Sequence, residues 1–390
     1  MIELLENVKN QLGQFFTENC DYILNGFEKY VIGKNITDPF AGGKDLIKWA
    51  KKNNAKSVIG YDIDKSYVNG EDVFFGDSLI EDRGYEFVLT NPPYLNVNKA
   101  DEVLKEKYFR KFSFEDLYQI SISSIMDSNE GIIIVPVNFL SAENSSRLRK
   151  LFFDKFQIIQ MNYFRHQVFH DTTYNVISFY YRKKENSYSD SLEIPTRIYP
   201  EEQDVEIKIE QKYNWAIGGR FLEEIKKQGN LLGIYRLLDE HIKHGEHEIP
   251  VAFNHLKDRK RICVDEQTRE TIKRNILLLK AIDTGTKDGK ICIENIKDYG
   301  IEALVSKTTS RNQIYLVFKN NITIDEQKKL IVFFNEKINE MREKYLSLFM
   351  TNFRDNDRKR ISFDFAYKLL NHLYYTELKG IKVARQSELF

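Results

Sequence analysis

The first half of the chain alternates short β-branched or aromatic runs with helical stretches, separated by polar or glycine-containing turns. The candidate strands are Asn35–Asp38, Ser57–Asp62, Asp72–Phe75, Glu86–Thr90, Gly131–Pro136, Ile158–Phe164 and Asn175–Tyr181. The candidate helices between them include Gly43–Lys52, Phe114–Met126 and Ser145–Phe156. Strands that alternate with helices form parallel sheets covered on both faces. The sequence therefore predicts an α/β fold with a doubly wound, mostly parallel, seven-stranded sheet that binds ligands beyond its carboxyl strand ends.

The alternation ends near the small, polar stretch Asn186–Ser191, which has the composition of a linker. Beyond it the elements are mixed: the candidates are strands Val205–Ile209, Ile291–Ile293 and Gln313–Phe318, and helices Phe221–Lys227, Glu266–Leu279, Ile324–Tyr345 and Phe363–Tyr375. A chain of 390 residues also exceeds one typical domain. We therefore predict two domains, 1–185 with the doubly wound sheet and 186–390 of mixed α+β type.

Composition narrows the class of protein. The 58 basic and 58 acidic residues cancel, so overall charge does not indicate a nucleic-acid partner. Cys20, Cys263 and Cys292 lack the spacing of a disulfide framework or zinc site, and His166 and His170 lack a third ligand, so we predict no metal. The chain shows no secretion signal and no apolar run of membrane-spanning length. These features predict a cytoplasmic protein without membrane contact.

Acidic residues stand at the ends of three successive predicted strands. Asp38 opens the turn DPFAGG, whose small residues Ala41 and Gly42 allow close backbone approach to a ligand. Asp62 ends the second strand, where nucleotide-binding folds place a ribose-binding carboxylate. Asp77 follows the third strand, where a carboxylate can accept from an adenine amino group. Each aspartate alone could be a helix cap or turn residue, but three in succession favour a nucleotide-like ligand.

The fourth predicted strand ends in TNPPY, Thr90–Tyr94, which is the most specific motif of the chain. Two prolines fix the backbone and remove two N–H donors, which leaves neighbouring carbonyl oxygens free to accept. Asn91 adds a side-chain carbonyl, and Tyr94 adds an aromatic face. The motif predicts a rigid acceptor pocket for an NH₂ group on a planar ring. The alternative is a proline turn that ends the strand.

Together these motifs resemble adenine-N6 DNA methyltransferases that use S-adenosylmethionine, in which NPPY is the catalytic motif; the resemblance covers residues 11 to about 184. Gly13–Thr17, GQFFT, resembles the family motif that contacts the methionine end of the cofactor. Its position before DPFAGG, with a recognition region after the catalytic half, is the gamma-class arrangement. The resemblance implies the Rossmann-like methyltransferase fold, S-adenosylhomocysteine as product, a C-terminal target-recognition domain, and the modification activity of a restriction-modification system.

The resemblance also assigns residue roles. The residues that would contact the cofactor are Phe15, Thr17, Asp38, Phe40, Ala41, Gly42, Asp62, Ile63, Asp77, Ser78, Asn91, Pro93 and Leu117. The residues that would form the catalytic site are Asn91, Pro92, Pro93, Tyr94 and Phe169. Two positions depart from the family, with Lys44 in place of Gly and Glu18 in place of Pro. Because a cation at a helix start is unfavourable, Lys44 implies weaker cofactor binding.

The implied chemistry follows from the poor nucleophilicity of adenine N6, whose lone pair is delocalised into the ring. Asn91 and the carbonyl of Pro92 can accept its two protons and turn the lone pair toward the sulfonium methyl. Since N6 lies inside duplex DNA, the base must be flipped out, and Tyr94 and Phe169 would stack on it.

The DNA would contact the second half of the chain, where residues 186–390 carry a net charge of +3 against −3 in residues 1–185. Two basic runs, Lys257–Arg261 and Arg354–Arg360, are dense enough to contact several phosphates. The predicted DNA-binding residues are Lys257, Arg259, Arg261, Arg354, Arg358, Lys359 and Arg360. The alternative for each run is an ordinary solvated face.

Three hypotheses remain open on the sequence. The first is a methyltransferase of double-stranded DNA that acts as a monomer, with a separate cognate endonuclease as a further partner. The second is a methyltransferase of RNA or of a protein glutamine, since an NPPY pocket also suits those amines. The third is a non-catalytic DNA-binding specificity subunit. GQFFT and the locally basic second half favour DNA, and the intact NPPY motif favours catalysis.

Overall fold

The computed structural model describes residues 17, 19–81, 83–169, 175–185, 189–283, 290–346, 352–354 and 358–381, with the backbone alone at 352–354 and 358. The chain divides into two compact units, the first of residues 1–219 with 353–357 and the second of residues 220–352 with 358–390. The first unit thus continues past the boundary predicted at residue 185. Among the described residues, no helix is both long and apolar enough to span a membrane.

The first unit is built on one sheet. Its strands are β1 (Asn35–Asp38), β2 (Ser57–Asp62), β3 (Val73–Phe75), β4 (Tyr85–Thr90), β5 (Ser128–Pro136), β6 (Phe156–Phe164), β7 (Val176–Lys183), β8 (Ser191–Tyr199) and β9 (Gln203–Glu210). Their order is β3-β2-β1-β4-β5-β7-β6-β8-β9. The first five strands pair in parallel, and β7 runs antiparallel to both β5 and β6. All seven predicted strands are present, and β8 and β9 extend the sheet.

Helices flank this sheet. They are α1 (Cys20–Ile23), α2 (Glu28–Val31), α3 (Asp45–Lys52), α4 (Glu102–Leu104), α5 (Arg110–Phe112), α6 (Leu117–Ser124), α7 (Asn138–Ser141) and α8 (Ser146–Lys155). A π-helical turn, Lys105–Phe109, joins α4 to α5. Helix α3 packs against β1 and β2 through a buried apolar face that includes Leu46 and Trp49. Burial of this apolar face stabilises a short helix that would be only marginally stable in isolation.

Aromatic packing explains why the first unit extends to Gly219. Phe139, Phe152 and Phe153 are fully buried beside the sheet. Trp215, which follows β9, stacks on Phe153 with ring centroids 5.0 Å apart. The buried indole therefore belongs to the same core as the helices α7 and α8.

The second unit contains mixed α and β elements, as predicted. Its strands are β10 (Ile234–Arg236), β11 (His244–Phe253), β12 (His255–Val264), β13 (Leu277–Lys280), β14 (Cys292–Asn295), β15 (Ala303–Val305) and β16 (Gln313–Phe318). These seven form two sheets, in the orders β10-β16-β13-β14 and β12-β11-β15. The short strand β17 (Asn352–Arg354) begins in this unit and ends in the first, and β18 (Arg358–Arg360) belongs to this unit. The helices are α9 (Gly219–Lys226), which begins at the last residue of the first unit, α10 (Glu266–Lys273), α11 (Ile324–Lys344) and α12 (Phe363–Leu373).

One predicted helix in this unit was too long. The helix expected over Glu266–Leu279 ends at Lys273, and Leu277–Lys280 forms β13. The Asn275 side chain explains the break, because it donates to a helix carbonyl and accepts from the Phe318 backbone N–H. The three leucines that follow are fully buried in a sheet, and periodicity alone does not distinguish such a run from a helix.

Candidate active site

The carboxyl ends of β1, β2, β3 and β4 meet at one edge of the first unit's sheet, and residues at these ends line one cavity. β1 lies between β2 and β4, so the cavity is at the point where the strand order reverses. Open α/β sheets bind ligands at this point. The cavity has an empty volume of about 1160 Å³ when the solvent space at its open mouth is included.

The turn after β1 rests directly on β2. The Ala41 backbone N–H donates to the Tyr61 carbonyl at 2.9 Å, and the Gly42 N–H donates to Asp62 Oδ2 at 2.8 Å. A Cβ placed on Gly60 of β2 would lie only 2.6 Å from the Ala41 Cβ. The glycine therefore permits an approach between turn and strand that any other residue would prevent.

Asp38 is buried at the floor of the cavity. Its Oδ1 accepts from the Phe40 backbone N–H at 3.1 Å and from the Thr90 hydroxyl at 2.9 Å. Burial raises the pKa of Asp38 to about 7, and the carboxylate of Asp62 acts in the same direction. A cationic ligand group would favour the ionised form, since opposite charge lowers a carboxyl pKa.

Asp62 is also buried, at the end of β2. Besides the Gly42 N–H, it accepts from the Asp64 N–H at 2.7 Å. Burial raises the pKa of Asp62 although these hydrogen bonds lower it. Because each carboxylate oxygen can accept about two hydrogen bonds, Asp62 retains acceptor capacity toward the cavity.

Asp77 follows β3 and is held by residues from the helical segment 102–112. Its Oδ1 accepts from the Leu79 N–H at 3.2 Å. Its Oδ2 accepts from the Tyr108 hydroxyl at 2.8 Å and pairs with Lys107 Nζ at 2.7 Å. The Lys107 ammonium thus occupies an acceptor position of Asp77, and both residues line the cavity.

Asn91 has both ends of its amide engaged. Nδ2 donates to the Thr17 hydroxyl at 3.1 Å, and Oδ1 accepts from the Tyr94 hydroxyl at 2.5 Å. The Tyr94 hydroxyl also lies 3.0 Å from the Ile134 carbonyl, and its ring meets Tyr118 edge to face. Tyr94 is therefore buried beneath Asn91 rather than presented to solvent.

Residues 8–169, which contain all of these strand ends, match the sequence model of the Eco57I restriction-modification methylase family. The match covers less than half of the chain, and we refer to residues 8–169 as the methylase-like segment. No curated protein sequence matches the chain significantly.

Solved structures that match the chain include a restriction-modification enzyme, a type I methyltransferase subunit and a putative RNA methyltransferase. The type IIL restriction-modification enzyme MmeI, solved in complex with DNA, is 11% identical over 94% of this chain and 67% of that one, with a TM-score of 0.48. The methyltransferase subunit of a type I system from Streptococcus thermophilus is 18% identical over 47% of this chain and 48% of that one, with a TM-score of 0.34. A putative RNA methyltransferase from Pyrococcus horikoshii is 18% identical over 45% of this chain and 89% of that one, with a TM-score of 0.33. The chain spans about half of the length of the type I subunit.

The fold of the methylase-like segment brings most of the predicted cofactor residues to the cavity. The predicted residues that line it are Thr17, Asp38, Phe40, Ala41, Gly42, Asp62, Ile63, Asp77, Ser78, Asn91, Pro93 and Leu117. Phe15 lies outside the described residues. Pro92, Tyr94 and Phe169 are absent from the described lining, and Tyr94 and Phe169 are buried. The stacking role of the two aromatic residues stays a prediction.

Ten lining residues are not among the predicted site residues. Six of them are sequence neighbours of predicted residues: Pro39, Gly43, Asp45, Leu46, Gly76 and Leu79. The other four, Val103, Leu104, Lys107 and Tyr108, belong to the helical segment 102–112. The pattern of apolar residues in EVLKEKYF is compatible with a helix. No local signal, however, places this helix over the cavity, because its position depends on Asp77, which is distant in the sequence.

The predicted DNA-binding residues, which all follow residue 256, differ in exposure. Lys257, Arg259 and Arg261 lie on β12 with exposed side chains. Lys359 is buried, which does not suit a phosphate contact because that contact requires a solvent-facing cation. Arg360 is half-buried. The side chains of the remaining predictions, Arg354 and Arg358, are outside the described part.

Metal chemistry was not expected, and the described ranges contain no group of three or more His, Cys, Asp or Glu residues arranged to hold a metal ion. His166 instead contacts the Tyr22 hydroxyl through Nε2 at 3.4 Å. His170, the second histidine of the sequence pair, lies outside the described residues.

Proposed function

We propose that the chain methylates the N6 amine of adenine at a specific site in double-stranded DNA, with S-adenosylmethionine as methyl donor, as the modification enzyme of a restriction-modification system. The observation that supports this most directly is the position of Asn91. It heads the NPPY motif and lines the same cavity as Asp38, Asp62 and Asp77, within the methylase-like segment.

The donors and acceptors of the cavity fit this cofactor. Asp62 has acceptor capacity for ribose hydroxyls, and Ile63 presents a half-exposed apolar side chain to a planar ring. The buried carboxyl of Asp38, with a pKa near 7, suits a cationic ligand group such as the methionine ammonium. When bound, S-adenosylmethionine supplies an electrophilic methyl group on a sulfonium and leaves as S-adenosylhomocysteine.

The chain's own part in the reaction is to orient the amine. Asn91 Oδ1 is a fixed acceptor because Thr17 holds the other end of the amide. An incoming adenine amine takes the place of the Tyr94 hydroxyl at Oδ1, and that hydroxyl keeps the Ile134 carbonyl as its acceptor. The Pro92 carbonyl accepts the second amine proton. Such fixed acceptors favour a tetrahedral nitrogen without reorganisation during the reaction.

The proposal is tested by transfer of labelled methyl groups from S-adenosylmethionine to duplex DNA. Asn91→Ala should lower the rate by about 10²- to 10³-fold, the typical effect of removing one preorganised polar group. The variant should retain S-adenosylhomocysteine binding, because the strand-end carboxylates are unchanged. Full activity of Asn91→Ala contradicts the assignment.

The substrate class is tested with matched acceptors. DNA whose adenines are already N6-methylated should accept no further label, whereas DNA with methylated cytosines should remain a substrate. Label incorporated into RNA or into protein glutamine, but not into DNA, supports the rival methyltransferase hypothesis. DNA binding without transfer to any acceptor supports a specificity subunit.

A further inference from the structure

The helical segment 102–112, formed by α4, the π-helical turn and α5, makes one wall of the cavity. Val103 and Leu104 line the cavity, and Val103 is 74% exposed although it is apolar. An exposed apolar side chain at a cavity mouth gains by contact with an apolar ligand surface. This wall is therefore part of the ligand site and not only a surface of the fold.

The segment is tied to the cavity through Asp77 Oδ2. Lys107 Nζ and the Tyr108 hydroxyl both bind this one oxygen, at 2.7 and 2.8 Å. A carboxylate oxygen offers about two acceptor positions, so Oδ2 has no position left for a ligand donor. Oδ1 accepts from the Leu79 N–H and retains one acceptor position, so a ligand donor can bind Oδ2 only by displacing one of its two partners.

The two donors differ in how easily they can leave. Tyr108 is 3% exposed, and burial raises its pKa to about 12, so its hydroxyl stays protonated beside Asp77. The Lys107 side chain is 40% exposed. Lysine can turn its ammonium into water while its alkyl stem remains packed. The ammonium can therefore move from Asp77 into water, and the buried Asp77 carboxylate then keeps its hydrogen bonds from the Tyr108 hydroxyl and the Leu79 N–H. The buried tyrosine cannot leave so easily.

A π-helical turn supports this division of roles. Lys107 and Tyr108 lie within Lys105–Phe109, the π-helical part of the segment. Such turns are uncommon and occur frequently at functional sites. Tyr108 and Phe109 are buried and anchor the turn, so the lysine can change partners while the backbone stays in place.

We propose that Lys107 sets cofactor affinity by competing with the adenine amino group for Asp77 Oδ2, and that its ammonium moves into solvent when the cofactor binds. The inference rests on the proposed function, because its ligand is an S-adenosyl compound. It adds a specificity-determining residue that the NPPY and strand-end motifs do not contain.

Two ligands that differ only in the group at one ring position distinguish the two possible roles of Lys107, which are competition with the ligand for Asp77 and direct contact with the ligand. S-adenosylhomocysteine carries an amino group that donates to Asp77. S-inosylhomocysteine carries a carbonyl oxygen at the same position, which Asp77 repels and the Lys107 ammonium can bind. Removing the ammonium should therefore improve binding of the first ligand and weaken binding of the second.

The experiment measures Kd of both ligands by isothermal titration calorimetry for the full-length chain, Lys107→Met and Lys111→Met. Lys111 is the matched control, because it belongs to the same segment and its ammonium lies over the Phe112 ring, 5.4 Å from the centroid. Lys107→Met should lower Kd for S-adenosylhomocysteine about twofold to fivefold, the effect of a partly exposed ion pair. It should raise Kd for S-inosylhomocysteine, and Lys111→Met should change neither.

An unchanged or higher Kd for S-adenosylhomocysteine in a folded Lys107→Met variant contradicts the proposal that Lys107 competes with the ligand for Asp77. If that variant unfolds, Lys107→Gln provides a neutral polar replacement that should shift both affinities in the same directions. If the wild-type chain binds neither ligand, the proposed function fails rather than the role of Lys107. The two failures are thus distinguished by the wild-type titration alone.

Discussion

Substitution of Gly60 by alanine tests whether the close contact between β2 and the turn after β1 controls ligand binding. The new Cβ would lie 2.6 Å from the Ala41 Cβ and 2.9 Å from Ile47 Cδ1, whereas ordinary contacts begin at 3.4 Å. The turn must therefore retreat by about 1 Å, because a packed interior offers no free space. This displacement moves the Gly42 N–H away from Asp62.

Two effects of Gly60→Ala follow from this geometry. Overpacking should lower the free energy of unfolding by about 1–3 kcal/mol. Displacement of binding groups by about 1 Å should raise Kd for S-adenosylhomocysteine roughly tenfold, since misplacement on this scale can cost up to about 100-fold in catalysis. Urea unfolding and isothermal titration calorimetry measure the two effects separately.

Two companion variants make the result specific. Gly84→Ala is the matched control, because a Cβ at position 84 meets no atom within 4 Å, and it should leave both quantities unchanged. Adding Ala41→Gly to Gly60→Ala removes the main clashing atom and should restore most of the lost affinity. If the Gly60→Ala variant alone keeps the stability and affinity of the wild type, the close contact with Ala41 does not explain why a glycine is needed at position 60.

Three further predictions concern charge and backbone conformation. Burial raises the pKa of Asp38 from 3.8 to about 7, so the folded chain binds a proton that the unfolded chain releases. The free energy of unfolding should therefore fall as pH rises from about 4 to about 7, and urea titrations should show this decline flattened in Asp38→Asn. Lys44 adopts a left-handed backbone with φ of 67°, so Lys44→Gly should raise stability by about 0.5 kcal/mol in urea unfolding, and an unchanged or lower midpoint contradicts backbone strain at this position. Arg259→Glu on the exposed β12 should reduce the slope of log K for DNA against log salt by about 1; equal slopes for variant and wild type exclude Arg259 from the DNA interface.

Several strands were predictable because their sequences carry strong local signals. Ser57–Asp62 in the first unit and Gln313–Phe318 in the second are apolar runs bounded by turn residues, and both form strands with the predicted bounds. Ser191–Tyr199 was not predicted, because Pro195 interrupts its sequence and proline argues against a strand. It becomes a strand through pairing with β6 and β9, which tertiary contacts decide.

The candidate site was predictable to the extent that strand ends identify it. Asp38, Asp62 and Asn91 follow local motifs, and the fold brings such positions together at one edge. The ion pair of Lys107 with Asp77 was not predictable, since it joins a helix to a strand end through the tertiary fold. The buried position of Tyr94 was likewise invisible, because the sequence shows an aromatic residue but not the direction of its ring.

The continuation of the sheet through β8 and β9 has a practical consequence for dissecting the chain. A recombinant fragment cut at residue 185 would leave the backbone of β6 without its partner β8 and expose Phe153, the stacking partner of Trp215. An uncovered strand with apolar neighbours invites aggregation. A fragment that ends at Gly219 keeps strand β8 and Trp215. When the second unit is exchanged between related proteins, the chains should therefore be joined after Gly219.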